Sequence, residues 1–488
     1  MNRLRRWSFL ACFIVLATVG LSRLGGQAPA AEKPAANKWL LDRSLTLTPR
    51  RAPVPALKYR LFPRSSELKD GNAVPIYLRL VFEQSDAARR RWVELPSAWN
   101  KLPLERLPMA EARKFLQGHR NFLRQCELGA RRKTAEWNYT LDQGSFIDIL
   151  LPDVQQMRGF MPMLVLKVRV EIAEGNYEAA AHWLETGFAF SRHLSEGPFL
   201  INELVGIAGA NLFEDTLLDF VDRPDAPNLY WSLVALPRPL IPLRHGLEME
   251  QRVLEMQFPE LVDLDRERTL EQWAGILKSF RVEFKRIMAS DESGKKQGPL
   301  PGTSAEDPAD KSPDLSTARK YLADRMHVPA TKVEAMPPAE LLVRYLVGSY
   351  REYSDDLYKA SYLPYPEARP GFAEADKRRC AAPDTEAKRL ASAFLAAVSK
   401  VMTAENRVQR KIAALRVIEA LRMYAADHDG GLPDKLSDVT VVPVPDDPGT
   451  GKPFKYRRDG QSATLTGRIP GMPLDITGLR YRLTMREK

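Results

Sequence analysis

The sequence predicts a mainly α-helical fold: an irregular helical domain followed by a small C-terminal α+β module in which a helix lies on an antiparallel sheet. Apolar residues recur three and four positions apart along much of residues 74–290 and 316–427, which is the helical period. Beyond Gly430 and Gly431 the chain changes to short runs in which apolar and polar residues alternate, as they do in strands. With 488 residues and 44% hydrophobic content, the chain is long enough for two or three domains.

The first thirty residues have the pattern of a secretory signal peptide. Arginines lie among the first six residues, an apolar run extends from Phe9 to Val19, and Ala28 and Ala30 are small residues of the kind a signal peptidase reads. We therefore predict a secreted or periplasmic protein, cleaved near Ala30. Because the apolar run is shorter than the ~20 residues of a bilayer span, an uncleaved N-terminal membrane anchor is the alternative, and it would be the chain's only membrane contact.

The charge and the cysteines exclude some classes of protein. Four arginines and no acidic residue lie in the first thirty positions, so +6 of the formal +10 charge remains after cleavage. This charge is diffuse and no module combines basic and aromatic residues as nucleic-acid binders do, so no nucleic-acid partner is predicted. Cys126 and Cys380 then remain, and their spacing fits either two buried free thiols or one disulfide.

Composition also divides the chain. Residues 31–73 are rich in Pro, Arg and Lys and predict an extended segment with little regular structure. Residues 291–315 are rich in Gly, Ser, Pro, Lys and Asp and cannot bury enough apolar surface to offset the entropy of ordering them. The predicted order is a signal peptide (1–30), the extended segment (31–73), a helical domain (74–290), a disordered linker (291–315), a helical segment (316–400) and the α+β module (401–488).

Within the helical domain, residues 74–82 alternate only partly and fit either a strand or a helix. The clearest helix follows Gly175-Asn176, and its apolar or small stripe predicts a half-buried helix. The stripe consists of Ala180, Trp183, Leu184, Gly187, Phe188 and Ser191. Further helices are expected from Pro108, and over Pro198–Phe220, Leu247–Met256 and Leu270–Met288.

Residues 175–191 resemble the turn and second helix of a tetratricopeptide repeat, with Ala180, Leu184 and Gly187 at its small, large and small packing positions. The resemblance covers half a repeat. The preceding helix lacks the signature of the repeat's first helix, and nothing recurs one period of 34 residues later. The resemblance therefore implies a helical hairpin within an irregular domain, and no repeat array.

The C-terminal part is predicted to contain two long helices, a stop and three strands. The helices are expected over Leu341–Tyr362 and Thr385–Asp427, and Gly430, Gly431 and Pro433 end the second one. Asp459-Gly460 is a typical hairpin turn. The expected strands are Phe454–Arg457, Ser462–Thr466 and Leu479–Leu483.

Residues 407–468 resemble the periplasmic domain of the major pseudopilins of type II secretion, through Asp447-Pro448 and the run from Gly451 to Tyr456. The resemblance implies a helix packed on a small antiparallel sheet. It also implies that Tyr424, Leu432 and Leu436 close a core beneath Phe454 and Tyr456. In that family the domain directly follows a polymerising membrane helix, whereas residues 31–400 intervene here.

Few residues suggest a catalytic or metal site. Glu178, His182 and Glu185 are one turn apart and fit either metal ligands or an exposed polar helix face. Asp142, Asp148 and Asp153 lie near Trp137 and Tyr139, a composition that suits sugar binding or paired acid and base catalysis but is also expected by chance.

Two motifs resemble ligand loops, but the first is predicted to be a turn and the second the stop of a helix. Residues 449–452 resemble the end of a phosphate-binding loop, but Pro453 replaces the hydroxyl residue that would hold magnesium. Residues 427–430 resemble the start of a calcium loop, but no glutamate stands at its twelfth position.

We predict no catalytic, cofactor-binding or metal-binding residue and no cofactor. The chain is interpreted as a bacterial envelope protein, non-enzymatic, that acts through contacts with other envelope proteins. The alternative is a secreted hydrolase that acts on cell-wall or polysaccharide material through its carboxylates.

Overall fold

The computed structural model describes residues 38–82, 86–139, 152–289, 315–381, 385–395 and 397–486. The predicted signal peptide, residues 291–314 of the predicted linker, Asp142 and Asp148 lie outside these ranges. The predicted fold class is confirmed, because the described chain is mainly α-helical with a small C-terminal sheet. In the described ranges, no helix combines the length and the apolar character that crossing a bilayer requires.

The chain forms two compact units. The discontinuous unit contains the described residues of 23–138, 151–246 and 403–488, and the inserted unit consists mainly of residues 247–402. Each is described separately below.

The elements before the inserted unit are three strands and nine helices among the described residues. The strands are β1 (Leu41–Leu47), β2 (Lys69–Asn72) and β3 (Arg132–Thr134). The helices are α1 (Val74–Phe82), α2 (Asp86–Trp99), α3 (Met109–Gly118), α4 (Arg120–Ala130), α5 (Pro152–Arg158), α6 (Met161–Ala173), α7 (Tyr177–Ser195), α8 (Leu200–Val221) and α9 (Tyr230–Val234).

The remaining helices and strands are given separately, each in chain order. The helices are α10 (Arg244–Gln251), α11 (Val253–Gln257), α12 (Leu270–Ala289), α13 (Leu315–Asp324), α14 (Ala330–Ala335), α15 (Pro338–Ser361), α16 (Tyr365–Ala381), α17 (Glu386–Leu395), α18 (Val398–Asp427) and α19 (Leu474–Thr477). The strands are β4 (Lys455–Asp459), β5 (Ser462–Gly467) and β6 (Leu479–Met485).

The core of the discontinuous unit is built on α7. This helix forms the predicted hairpin with α6 around Gly175, whose φ of +75° is a conformation that glycine adopts without strain. The expectation that α7 is half buried is wrong: α4, α6 and α8 pack around it, and its second half is buried nearly all round. At Gly187 a Cβ would lie 2.4 Å from the ring of Phe213, so the absent side chain lets α7 and α8 approach closely.

The ambiguous run at residues 74–82 is a helix. Tyr77 of α1 is fully buried and lies against Gly129 of α4, where a Cβ would come within 2.2 Å of its ring. Helix formation buries Val74, Tyr77, Leu80 and Val81 on one face, which a two-residue period could not do.

A four-stranded sheet with the order β1-β6-β5-β4 completes the discontinuous unit. β4, β5 and β6 form the predicted antiparallel meander, whereas β1 adds to β6 in parallel, with Leu41 opposite Leu479 and Leu47 opposite Met485. The expectation of little regular structure in residues 31–73 is therefore wrong at β1. This pairing buries Leu45 and Leu47. The composition of residues 31–73 could not predict it, because the partner strand lies at Leu479–Met485.

Helix α18 carries the charged core on the inner side of this sheet. Arg410 donates to both carboxylate oxygens of Asp447, at 2.7 and 2.8 Å, and both side chains are buried. The core implied by the pseudopilin resemblance is only partly closed, since Leu432 and Phe454 are buried but Tyr424, Leu436 and Tyr456 are half-buried.

The inserted unit packs around α15, which contacts α12, α13, α16 and α17. An ion pair of 2.9 Å between Arg281 and Glu386 joins α12 to α17. The single helix predicted over residues 385–427 is instead α17 followed by α18. No individual helix was predicted around Pro370 within the helical segment 316–400, and the chain there forms α16.

Candidate functional site

The histidine of the predicted α7 cluster lies at a half-exposed ion-pair network. His182 Nε2 is 2.9 Å from Glu127 Oε1, and the Arg131 guanidinium lies 3.3 Å from His182 Nδ1. Because a guanidinium can only donate, Nδ1 accepts this hydrogen bond and Nε2 donates to Glu127.

Arg131 fills the space that a metal ion would need. Its guanidinium also donates to Glu185 Oε2 at 3.0 Å, so it lies between the histidine and the buried carboxylate. Glu178 points instead to Lys58, 3.1 Å away. Among the residues that the structure describes, no group of three or more His, Cys, Asp and Glu side chains could hold a metal. The geometry is that of a structural network.

Burial raises the pKa of Glu185, while the charges of Arg131 and Arg60 oppose that rise. The second histidine of α7 has a different environment. His193 is buried, the hydroxyl of Tyr77 lies 3.0 Å from its Nδ1, and burial with the nearby Arg192 charge lowers its pKa to about 4. It is a neutral core histidine at physiological pH.

The proposed acid cluster does not form an accessible sugar site at its described residues. Trp137 is only 8% exposed and its Nε1 donates to the carbonyl of His193 at 3.0 Å, so its ring cannot stack on a sugar. The carboxylate of Asp153 accepts a hydrogen bond of 2.9 Å from the backbone N–H of Val154 at the start of α5.

The two motifs that resemble ligand loops form a turn and a helix stop, as predicted. The backbone N–H groups of Thr450 and Gly451 donate to the carbonyl of Asp447, which closes the turn before β4. The N–H of Gly430, at φ +83°, donates to the carbonyl of Ala425 and ends α18. Cys126 and Cys380 are both free; Cys126 is buried as expected, whereas Cys380 is exposed.

The inserted unit contains a groove with a volume of about 430 Å³. Its surface is mostly apolar, and it lies between the C-terminal end of α13, the following loop and one face of α15. The lining residues are Leu264, Asp265, Tyr321, Leu322, Arg325, Met326, Val328, Arg344, Gly348, Arg351 and Glu352.

Three arginines stand around the apolar floor. Arg344 donates to the carbonyl of Leu264 at 2.7 Å, and Arg351 donates to the carbonyl of Leu261 at 2.9 Å. Arg325 forms an ion pair with Glu352. These contacts fix the guanidinium groups at the rim, and both acidic residues of the groove are themselves ion-paired, Asp265 with Arg344. The groove therefore has no free carboxylate pair for acid and base catalysis.

No family model, curated protein or solved structure matches this chain. Among the described residues, the groove of the inserted unit is a concave surface that a ligand could occupy.

Sequence reasoning missed the groove because its residues come from separate elements. One signal was present: Arg344, Gly348, Arg351 and Glu352 follow the spacing i, i+4, i+7 and i+8, which places them on one face of a single helix. Gly348 lets this face approach α13 closely, because a Cβ at this position would lie 3.1 Å from the ring of Tyr321.

Proposed function

We propose that this chain is a secreted or periplasmic envelope protein without catalytic activity, and that it binds other envelope proteins through the groove of the inserted unit. The observation that carries the proposal is the mostly apolar groove surrounded by Arg325, Arg344 and Arg351. The signal-peptide pattern of residues 1–30 and the pseudopilin resemblance of residues 407–468 support the envelope location.

The occupant we propose is an amphipathic segment of a partner protein that carries apolar side chains flanked by Asp or Glu. A groove of about 430 Å³ is in the range of pockets that enclose small ligands, and it can receive apolar anchor side chains. Arg325 and Arg351 are already ion-paired with Glu352 and Glu255, but their side chains are 59% and 43% exposed, so their remaining N–H groups can donate to carboxylates of the partner. Met326, 52% exposed beside the floor, enlarges the apolar surface that such a segment would cover.

The test is selection of binding peptides from a displayed random library with the purified chain, followed by fluorescence polarisation with the selected peptides. We expect peptides that combine apolar and acidic residues. Met326→Glu should weaken their binding about tenfold, a loss of roughly 1.4 kcal/mol. Val282→Glu is the matched control, because Val282 is 57% exposed and does not line the groove.

Two results would contradict the proposal. One is selected peptides that bind Met326→Glu and wild type equally. The other is hydrolysis of a cell-wall or polysaccharide substrate by the purified chain with loss of that activity in Asp153→Asn, which would establish the hydrolase instead.

A further inference from the structure

The outer face of the four-stranded sheet is open and polar. Along β5, β6 and the second half of β1 the buried residues alternate with exposed or half-buried ones, so one side of the sheet faces the core and the other faces solvent. β4 lies at the edge, and its outward residues are exposed.

The register aligns the outward residues in three rows across the strands. The first row is Asp42, Arg480, Thr466 and Lys455. The second row is Ser44, Arg482, Thr464 and Arg457. The third row is Thr46, Thr484, Ser462 and Asp459. We call these twelve residues the outer sheet face.

The outer sheet face combines cations with hydroxyl groups. It carries four cationic residues and two acidic ones. Arg480 and Arg482 share the single carboxylate of Asp42, with Arg482 at 2.9 Å, so this side of the face keeps an excess of positive charge. The side chain of Arg482 is 50% exposed.

Trp39 holds one of these cations in place. The Arg480 guanidinium lies 4.9 Å from the centre of the indole ring, and Arg468 lies 5.8 Å from the same ring. Arg480 is held between this ring and the Asp42 carboxylate, to which its Nη2 donates. The more exposed cations Lys455, Arg457 and Arg482 are therefore the ones open to a ligand.

We infer that the outer sheet face binds an acidic polysaccharide, a polymer of sugars that carry carboxylates. Strands lie ~4.8 Å apart and outward residues of one strand repeat every ~7 Å, so the face presents a regular grid of donors. Arginines bind carboxylates through charge-assisted pairs, and the Ser and Thr hydroxyls both donate and accept, as sugar hydroxyls require.

The same face does not suit a single-stranded nucleic acid. Such binders stack successive bases on aromatic side chains, and none of the twelve residues of the outer sheet face is aromatic. Trp39, the aromatic residue beside it, is occupied by two arginines.

The experiment measures binding of the full chain to polygalacturonate by isothermal titration calorimetry, with neutral dextran, dextran sulfate and RNA as comparisons. We expect binding to polygalacturonate that Arg457→Gln combined with Arg482→Gln weakens roughly tenfold. Arg113→Gln is the matched control, because Arg113 is 59% exposed and ion-paired with Glu174 away from the sheet.

A second variant tests the hydroxyl rows. Thr464→Ala combined with Thr466→Ala should weaken polygalacturonate binding and leave dextran sulfate binding unchanged, since the sulfate contacts depend on charge alone. No binding to polygalacturonate, equal binding to neutral dextran, tighter binding to dextran sulfate or RNA, or no effect of either double variant would each overturn the inference.

Discussion

At the scale of single residues, the buried pair of Arg410 and Asp447 organises the turn before the C-terminal sheet. Arg410 also donates to the carbonyl of Thr477, and Asp447 accepts from the N–H of Gly449 at 2.8 Å. A Cβ at Gly449 or Gly467 would come within 2.8 Å of the guanidinium, so the surrounding glycines are part of the same site. The pair therefore connects three segments by hydrogen bonds: α18, the turn at residues 447–449 and the end of α19.

We expect Arg410→Met to destabilise the protein by about 3–5 kcal/mol, because it leaves the Asp447 carboxylate buried without its cation. The measurement is the urea-unfolding midpoint. Arg410→Met combined with Asp447→Leu should cost less than the sum of the two single changes. Strictly additive costs would show that the two groups do not interact.

Glu405 is a buried titratable group whose burial has a different consequence. Burial raises its pKa from 4.5 to about 7, so the folded protein holds this proton more tightly than the unfolded chain. The resulting stability is present at low pH and is lost as the pH rises from about 4.5 to about 7.

Glu405→Gln should therefore reduce the fall in stability across this interval, by up to about 3 kcal/mol at neutral pH. The check is urea unfolding of wild type and variant at a series of pH values. A variant whose stability falls with pH as steeply as that of wild type would mean that Glu405 titrates normally in the folded protein.

At the scale of elements, the contact between α7 and α8 depends on a missing side chain. Gly187→Ala places a Cβ 2.4 Å from the Phe213 ring, which is fully buried. We expect a cost of about 1–3 kcal/mol in thermal unfolding.

Gly275→Ala is the matched control for this prediction, since nothing lies within 4 Å of a Cβ at that position of α12. Alanine forms helix better than glycine, so this change should stabilise by up to about 1 kcal/mol. Equal changes in thermal stability for Gly187→Ala and Gly275→Ala would show that the Phe213 ring does not crowd a Cβ at position 187.

The elements also show what the sequence could predict. Helix α12 was predicted over Leu270–Met288 and spans Leu270–Ala289. The prediction succeeded because the helical recurrence of apolar residues lies within one continuous segment. β1 could not be predicted, since the residues it pairs with, such as Asp42 with Arg480, are 438 positions apart. The groove was missed for the same reason, because Leu264 and Tyr321 come together only in the folded inserted unit.

At the scale of the whole molecule, buried titratable groups oppose one another in their pH dependence. His193 has a pKa lowered from 6.5 to about 4, so its contribution is lost as the pH falls through this interval. Glu250 in the inserted unit has a pKa raised by burial from 4.5 to about 8. Its contribution is lost as the pH rises toward 8.

Between pH 6.5 and 8 the contribution of His193 is complete and that of Glu250 is still falling. We expect the protein to lose thermal stability in this interval, with about 2 kcal/mol of the loss from Glu250. Glu250→Gln should remove that part in calorimetric scans at the two pH values. An unchanged loss in the variant would exclude Glu250 as its source.

The parallel pairing of β1 with β6 also determines when, during translation, the sheet can be completed. The ribosome makes β1 before residues 48–478 and β6 after them, so β1 lacks its partner strand while those residues are synthesised. Leu45 and Leu47, which are buried in the folded sheet, lack that partner strand for the same time. The four-stranded sheet can therefore close on β1 only after translation has reached β6, although β1 is the first of its strands to be made.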